Sequence, residues 1–277
     1  MGNLVSTDWL AAHLGEANLI VLDATWHMPT LKRNAHEEFV AAHISGAQFF
    51  DIDKPSDATS PLPHTLPSQE QFAAQMGALG ISNNTHVVAY DSYGLFSAAR
   101  SWWMFKIFGH NKVSVLDGGL KKWLAEGRPT VSGEPTPAKS GQFTAKLNSL
   151  MLRTMSEVAQ SQAQIADARS PSRFKGEEPE PRPGVRAGHI PNSRNVHYAT
   201  LLASDGTLRA TTQLADQFAS SGVDIQKPII TSCGSGVTAA ILSLALTELG
   251  AKNHALYDGS WTEWGASTMP LASGPAT

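Results

Sequence analysis

The sequence predicts an α/β fold made of two copies of one domain, each a mostly parallel sheet with helices on both faces. Two observations support this prediction. Four short motifs occur twice, in the same order and at offsets of 141 to 146 residues. In addition, near-continuous apolar runs of four to six residues alternate with helical patterns, which is typical of parallel strands that are buried on both faces.

An internal repeat determines how the whole fold is organised. Unrelated turns would hardly keep both the order and the spacing of the motifs, so we interpret them as a tandem duplication. The matched segments are 18–24 with 164–168, 42–47 with 188–193, 87–99 with 229–240, and 115–123 with 256–264.

A stretch rich in proline, glycine and polar residues separates the two copies and is typical of a linker. We therefore predict a first domain over residues 1–128, a linker over 129–141 and a second domain over 142–277.

Within each copy, β-branched and aliphatic runs predict strands, and 3.6-residue periodicity predicts helices. Function is expected at the carboxyl ends of the strands. The predicted strands are 19–23, 86–90, 113–116, 164–168, 228–232 and 254–257, and the predicted helices are 68–79, 96–108, 211–221 and 237–249.

Composition excludes several classes of function. Charged residues make up 16% of the chain and the formal net charge is −3, so no strong field points to nucleic acid or to a membrane surface. No run of 18 apolar residues occurs, and the first residues do not have the pattern of a signal peptide. A lone cysteine, Cys233, forms no disulfide within the chain, and no Cys/His cluster has zinc-ligand spacing. We expect a cytoplasmic protein without metal or cofactor.

Cys233 lies in the segment with the clearest chemistry. The run from Ile229 to Ala240 passes from a strand through the turn Cys-Gly-Ser-Gly-Val-Thr into a helix. The thiol is then expected beside backbone N–H groups and the positive end of a helix dipole, which favours a nucleophilic thiolate. Gly234 and Gly236 are expected to adopt positive φ values that let these N–H groups converge on one anionic atom. A buried, inert cysteine is the alternative.

The loop resembles a known family. The motif Cys-Gly-Ser-Gly-Val-Thr, the earlier Gly-His-Ile-Pro, the later Tyr-Asp-Gly-Ser-Trp-x-Glu-Trp and the duplication are together similar to the rhodanese superfamily, and more narrowly to its 3-mercaptopyruvate sulfurtransferases. The resemblance implies that Cys233 takes the sulfur of 3-mercaptopyruvate as a persulfide, releases pyruvate, and passes the sulfur to cyanide or to a thiol. Such a thiol belongs to a small molecule or a thioredoxin-like protein.

The resemblance also implies roles for residues outside the loop. Arg173 and Arg182, in an insertion of the second copy, correspond to the substrate-binding arginines. Substrate contacts are also expected from Gly234, Gly236, Val237 and Thr238. Ser235, His64 and Asp53 correspond to a proposed Ser-His-Asp relay. Composition alone leaves other interpretations open. The insertion could be a solvated loop in which Glu177, Glu178 and Glu180 pair with Arg173, Lys175 and Arg182. His64 could be a surface histidine, and Asp53 could cap a turn.

The first copy has Asp91 at the position of Cys233, so one active site per chain is expected. Asp91 could act as an acid or base. We favour the alternative, in which the first copy is a scaffold that contributes one wall of a cleft.

The residues of the same loop also bear on other activities. A cysteine phosphatase needs an arginine six residues after the cysteine, where this chain has Ala239. Thiosulfate-preferring relatives carry basic loop residues where this chain has Gly234 and Ser235, so an α-keto acid donor is favoured. Thiosulfate:cyanide sulfur transfer and a non-catalytic sulfur-carrier or thiol-sensing module remain the alternatives.

Overall fold

The computed structural model describes residues 2–54, 56, 60–136 and 138–276. These described residues form two compact units, each with its own five-stranded sheet. The first unit comprises Met1–Asp57, Leu66–Asn148 and Ala203–Leu208, and the second comprises Ala58–Thr65, Ser149–Leu202 and Arg209–Thr277. Each unit thus includes a short segment from the other half of the sequence.

The first unit has a fully parallel sheet with the strand order β1-β5-β4-β2-β3. Its strands are β1 Leu4–Val5, β2 Leu19–Asp23, β3 Gln48–Phe49, β4 His86–Tyr90 and β5 Val113–Leu116, and its helices are α1 Thr7–His13, α2 Ala35–Ala41, α3 Gln69–Ala78, α4 Ala98–Ile107 and α5 Gly119–Ala125.

Helices cover both faces of this sheet because its central strand, β4, is apolar on both sides. Val88 and Tyr90 pack with Leu10, Phe39 and Trp123, which come from α1, α2 and α5. Helix α4 packs against β4 and β5, and α3 packs on α4 through an aromatic contact. The near-continuous apolar strands expected from the sequence are therefore observed.

The second unit repeats this topology, with the strand order β6-β10-β9-β7-β8, again all parallel. Its strands are β6 Leu152–Arg153, β7 Gln164–Asp167, β8 Arg194–Asn195, β9 Ile229–Ser232 and β10 His254–Tyr257, and its helices are α6 Met155–Gln160, α7 Pro171–Lys175, α8 Thr211–Ser220, α9 Ala239–Glu248 and α10 Ser260–Ala266.

In both units, the residues after the last helix are held by the same pair of contacts. In the first, the Trp123 indole donates to Pro129 O at 2.9 Å, and Val131 pairs with His43 in an isolated bridge. In the second, the Trp264 indole donates to Pro270 O at 2.8 Å, and Ala272 pairs with His189. Residues 129–133, predicted as part of a linker, therefore pack on the first unit as the C-terminal residues pack on the second. The compact units divide later, at Asn148, and the exact domain limits stay a prediction.

The α/β fold class with two equivalent domains is confirmed. All six predicted strands and all four predicted helices are present, with ends that differ by no more than two residues. The two-residue edge strands and the helices of five to seven residues were not predicted, because such short elements carry too little periodicity. Among the described residues, none of the helices combines the length and the hydropathy that a membrane span requires.

Candidate active site

The cysteine loop, residues 233–238, connects β9 to α9 at the carboxyl edge of the second sheet. Strand β9 lies between β10 and β7, so the loop leaves from the centre of the sheet. Cys233 is buried, with 2% of its surface exposed. Function in open parallel sheets concentrates at this edge, which is where the sequence predicts Cys233.

The loop is held by the segment that follows β10. Cys233 N–H donates to Ser260 Oγ at 3.2 Å, and Trp261 N–H donates to Cys233 O at 2.9 Å. The Thr262 hydroxyl and backbone N–H both donate to Gly234 O, at 2.6 and 2.9 Å. Ser260 is fully buried and adopts a positive φ of 49°, which is uncommon for a residue with a side chain and persists where surrounding contacts impose it.

Neither Ser260 nor Thr262 is predicted to be functional from the sequence. Both lie in the Tyr-Asp-Gly-Ser-Trp motif region, whose position after the cysteine is the signal that could have identified them. Their role depends on hydrogen bonds between segments 27 and 28 residues apart, which the spacing of a motif does not reveal.

The cysteine loop presents N–H groups without an acceptor. The backbone N–H groups of residues 234–238 donate to no acceptor in the described part of the chain. Val237 O and Thr238 O accept from Ala240 and Ile241 N–H, so the loop passes directly into α9. Free N–H groups beside a buried thiol form a cradle for an anion.

In the first unit the equivalent loop binds a carboxylate. There the position of Cys233 is taken by Asp91, whose carboxylate accepts four backbone N–H groups of its own loop. These are Tyr93 and Gly94 N–H on Oδ1, at 2.9 and 3.1 Å, and Phe96 and Ala98 N–H on Oδ2, at 2.7 and 2.8 Å. The first unit thus fills its cradle with a fixed anion, whereas the second places a thiol there. All four N–H groups thus have the Asp91 carboxylate as their acceptor, and the expected scaffold role of the first copy stays a prediction.

The two loop glycines serve different purposes. Gly236 adopts a positive φ of 80°, as expected. Gly234 is not in the left-handed region, so the expected reason for its presence is wrong. A Cβ at Gly234 would lie 3.1 Å from Arg173 Nη2, closer than nine in ten real Cβ contacts. A side chain at position 234 would therefore require the Arg173 guanidinium to move by a few tenths of an ångström.

Arg173 lies on α7, and its guanidinium lies against the cysteine loop at Gly234. It forms an ion pair with Glu180, with Nη2 and Oε2 at 2.5 Å. Lys175 lies 3.6 Å from Glu177, so two of the ion pairs expected for a plain surface loop do form. The Glu180 side chain, however, is only 4% exposed, which is not the environment of a solvated loop.

Arg182 is connected to the same loop through a threonine. Its Nη1 donates to Thr262 Oγ1 at 3.5 Å, and that hydroxyl donates to Gly234 O. The structure therefore brings Arg173, Arg182 and the cysteine loop together within the second unit.

The predicted relay residues are distributed differently. Ser235 lies in the cysteine loop and is 7% exposed. His64 is 5% exposed, has a positive φ of 60° and groups with the second unit, so it is not the surface histidine of the alternative. Asp53 belongs to the first unit, where its Oδ2 accepts from the Trp26 indole at 3.1 Å. A relay through these three groups stays a prediction.

Comparisons with known proteins agree with this geometry. The family model described as "Rhodanese-like domain" matches residues 6–126 and 152–267. The chain is 45% identical to 3-mercaptopyruvate sulfurtransferase of Escherichia coli strain K12, over 95% of this chain and 94% of that protein. It is 43% identical to "Thiosulfate/3-mercaptopyruvate sulfurtransferase 1, mitochondrial" of Arabidopsis thaliana, over 98% of this chain and 78% of that protein.

The fold is also similar to solved structures. The crystal structure of SseA from Escherichia coli, described as a 3-mercaptopyruvate sulfotransferase with the rhodanese fold, superimposes with a TM-score of 0.86. That match has 42% sequence identity and covers 94% of this chain and 99% of the other. From the two matched domains, the identities and the shared fold, the chain belongs to the rhodanese family.

Proposed function

We propose that this protein is a 3-mercaptopyruvate sulfurtransferase that carries the transferred sulfur on Cys233. The observation that supports the proposal best is the cysteine loop, in which a buried thiol stands beside N–H groups without an acceptor. The equivalent groups of the first unit bind the Asp91 carboxylate. A persulfide anion on Cys233 would occupy the same kind of cradle.

The reaction follows in two half-reactions. The Cys233 thiolate attacks the sulfur of 3-mercaptopyruvate, an S–S bond forms, and the carbon–sulfur bond breaks with its electron pair left on carbon. The resulting enolate of pyruvate takes up the proton that the new persulfide releases. A thiol or cyanide then attacks the outer sulfur, and the Cys233 thiolate leaves. A covalent intermediate of this kind gives ping-pong kinetics.

Arg173 and Arg182 are proposed to bind the carboxylate and keto oxygen of the donor. A guanidinium suits a carboxylate because it donates two parallel hydrogen bonds. Both side chains contact the cysteine loop or its Thr262 support. Ser235, His64 and Asp53 are proposed to deliver the proton to the enolate, and Gly234, Gly236, Val237 and Thr238 to supply backbone contacts.

The decisive experiment follows the sulfur on the purified protein. Incubation with 3-mercaptopyruvate alone should add about 32 Da, the mass of one sulfur atom, and release pyruvate. Cys233→Ser should show neither change while remaining folded, because serine is nearly isosteric but its oxygen does not carry sulfur. Turnover by Cys233→Ser would overturn the proposal, and an adduct without turnover would instead indicate a sulfur carrier.

Thiosulfate is the second candidate donor, because the similar Arabidopsis protein is named for both donors. Comparing kcat/KM for the two donors separates these activities. A cytoplasmic location and a thioredoxin-like or small thiol acceptor complete the proposal. The location rests on the single cysteine, and the name of the Arabidopsis relative makes the mitochondrion the compartment to test against it.

A further inference from the structure

Glu180 is a buried carboxylate that links two arginines of the second unit. Its side chain is 4% exposed, although it lies in a segment whose sequence has the composition of a surface loop. One oxygen, Oε1, accepts from Arg169 Nη1 at 2.8 Å, and the other, Oε2, accepts from Arg173 Nη2 at 2.5 Å. A buried carboxylate is costly unless it is paired and hydrogen-bonded, and here both oxygens of Glu180 accept from a guanidinium.

Arg169 anchors this carboxylate from behind. It is 1% exposed, forms an ion pair with Asp167 at 2.7 Å, and donates to Gly188 O at 2.8 Å. Its guanidinium also lies over the Trp261 ring, 4.5 Å from the centroid. Arg169 is therefore held by contacts on several sides, and Glu180 links it to Arg173, whose side chain is 20% exposed.

The geometry of the Arg173 guanidinium shows which edge is left for a ligand. Glu180 accepts from Nε at 3.3 Å and from Nη2, and so occupies the Nε/Nη2 edge. Nη1 donates to no acceptor in the part of the chain that the structure describes. Nη2 and Nη1 are the atoms that a Cβ at Gly234 would meet first, at 3.1 and 3.8 Å. The open Nη1/Nη2 edge therefore lies at the cysteine loop.

We propose that Glu180 is a positioning residue for substrate recognition: shared between Arg169 and Arg173, it holds the Arg173 guanidinium so that its Nη1/Nη2 edge faces the cysteine loop. This inference rests on the proposed function, in which that edge binds the donor's carboxylate. An arginine side chain that is not held loses rotamer entropy when it binds, and Glu180 removes most of that loss before the donor arrives. Gly234 supplies the other half of the arrangement by leaving the space empty.

The charges of the cluster are balanced. Asp167 and Glu180 compensate Arg169 and Arg173, so these four side chains together carry no net charge. Removing the charge of Glu180 changes both the direction of the Arg173 side chain and this balance. The orientation effect is expected in the KM for the donor, because the carboxylate keeps the same charge when the carbon–sulfur bond breaks and is therefore bound equally in the ground and transition states.

The test compares four variants in steady-state kinetics with 3-mercaptopyruvate. Glu180→Gln should raise KM about tenfold and leave kcat within about twofold, and Arg173→Ala should raise KM at least as much. If Glu180 acts through Arg173, Arg173→Ala combined with Glu180→Gln should have the KM of Arg173→Ala alone, within about twofold. The matched control is Glu178→Gln, whose carboxylate accepts from the hydroxyls of Ser170 and Ser172 in the same segment. It should leave KM unchanged.

Several outcomes would overturn the inference: an unchanged KM in Glu180→Gln, a KM that rises further in the double variant, or an equal rise in Glu178→Gln. A purely structural Glu180 would lower the melting temperature without this pattern in KM. If Glu180→Gln does not fold, Glu180→Asp keeps the charge but shortens its reach, and the same KM comparison applies. Failure of the proposed function is distinguished by the wild type, which would then acquire no 32 Da adduct from the donor.

Discussion

Asp91 allows a quantitative test of the view that these loops are anion cradles. Its side chain is fully buried and accepts four backbone N–H groups at 2.7 to 3.1 Å. In Asp91→Asn, either orientation of the amide turns an NH2 group toward two of those N–H groups. Two buried donors then lose their acceptor, at about 1–3 kcal/mol each.

The same substitution also restores part of the lost free energy of unfolding, because Asn carries no charge. Burial raises the pKa of the Asp91 carboxyl even though the four N–H groups act in the opposite direction. The charged form therefore carries a burial cost that Asn does not have. We expect Asp91→Asn to lower the free energy of unfolding by about 2–4 kcal/mol, with the two lost hydrogen bonds exceeding the recovered burial cost.

Urea unfolding followed by tryptophan fluorescence measures this loss. Five of the seven tryptophans lie in the first unit, so the signal reports mainly on the unit that contains Asp91. The control is Asp8→Asn, which removes a carboxylate that is 90% exposed in the same unit and should stay within about 0.5 kcal/mol of the wild type. Separate transitions of the two units are fitted individually.

Asp91→Ala adds a second readout, because it leaves the N–H groups around an empty space of carboxylate size. Formate or acetate should raise the unfolding midpoint of Asp91→Ala and leave that of the wild type unchanged. An Asp91→Asn protein as stable as the Asp8→Asn control would refute the reasoning. So would the absence of any anion effect on Asp91→Ala.

Three further predictions concern the site and one surface carboxylate. His64→Ala should lower kcat for 3-mercaptopyruvate about a hundredfold and affect thiosulfate much less, since departing sulfite needs no proton; equal losses with both donors would count against the relay. Replacing Gly234 by Arg and Ser235 by Lys should shift the ratio of kcat/KM for the two donors toward thiosulfate. The new side chains add positive charge, and the one at position 234 displaces the Arg173 guanidinium. An unchanged ratio would mean that donor selectivity is set outside the loop. Hydrogen bonds from Thr207, with a smaller effect of Lys122, lower the pKa of Asp205 to about 2. The charged carboxylate therefore stabilises the folded protein fully above the unfolded pKa near 3.9, and this contribution is lost as the pH falls through about 2. Because the Asp205 side chain is 45% exposed, Asp205→Asn should lower the free energy of unfolding by about 1 kcal/mol or less at neutral pH. In urea unfolding, the difference between this variant and the wild type should disappear in acid.

Much of the architecture could be predicted because it depends on local patterns. Strands such as β2, β4 and β5 are apolar runs bounded by turn residues, and the structure gives them the predicted limits. The duplication follows from comparing the chain with itself, and it implies two equivalent sheets. The cysteine loop could be placed at a strand's carboxyl end because strand, glycine-rich turn and helix are contiguous in the sequence.

The contacts that shape the site could not be predicted in this way. The sequence predicts a positive φ at Gly234, yet its φ is not positive, and the atom nearest to a Cβ built there belongs to Arg173, 61 residues earlier in the chain. Ser260 and Thr262 hold the loop through hydrogen bonds that no periodicity encodes.

The sequence by itself determined the α/β class, the tandem repeat and the position of Cys233 at the end of a central strand. Hydrophobic periodicity and glycine-rich turns act over a few residues and are therefore readable along the chain. The tertiary structure decided which charges are buried and which N–H groups keep no acceptor. Glu180 has the sequence context of a solvated acidic loop, but packing beside Arg169 leaves it 4% exposed. Burial and pairing are properties of the neighbours that the folded chain brings together, and those neighbours are distant in sequence.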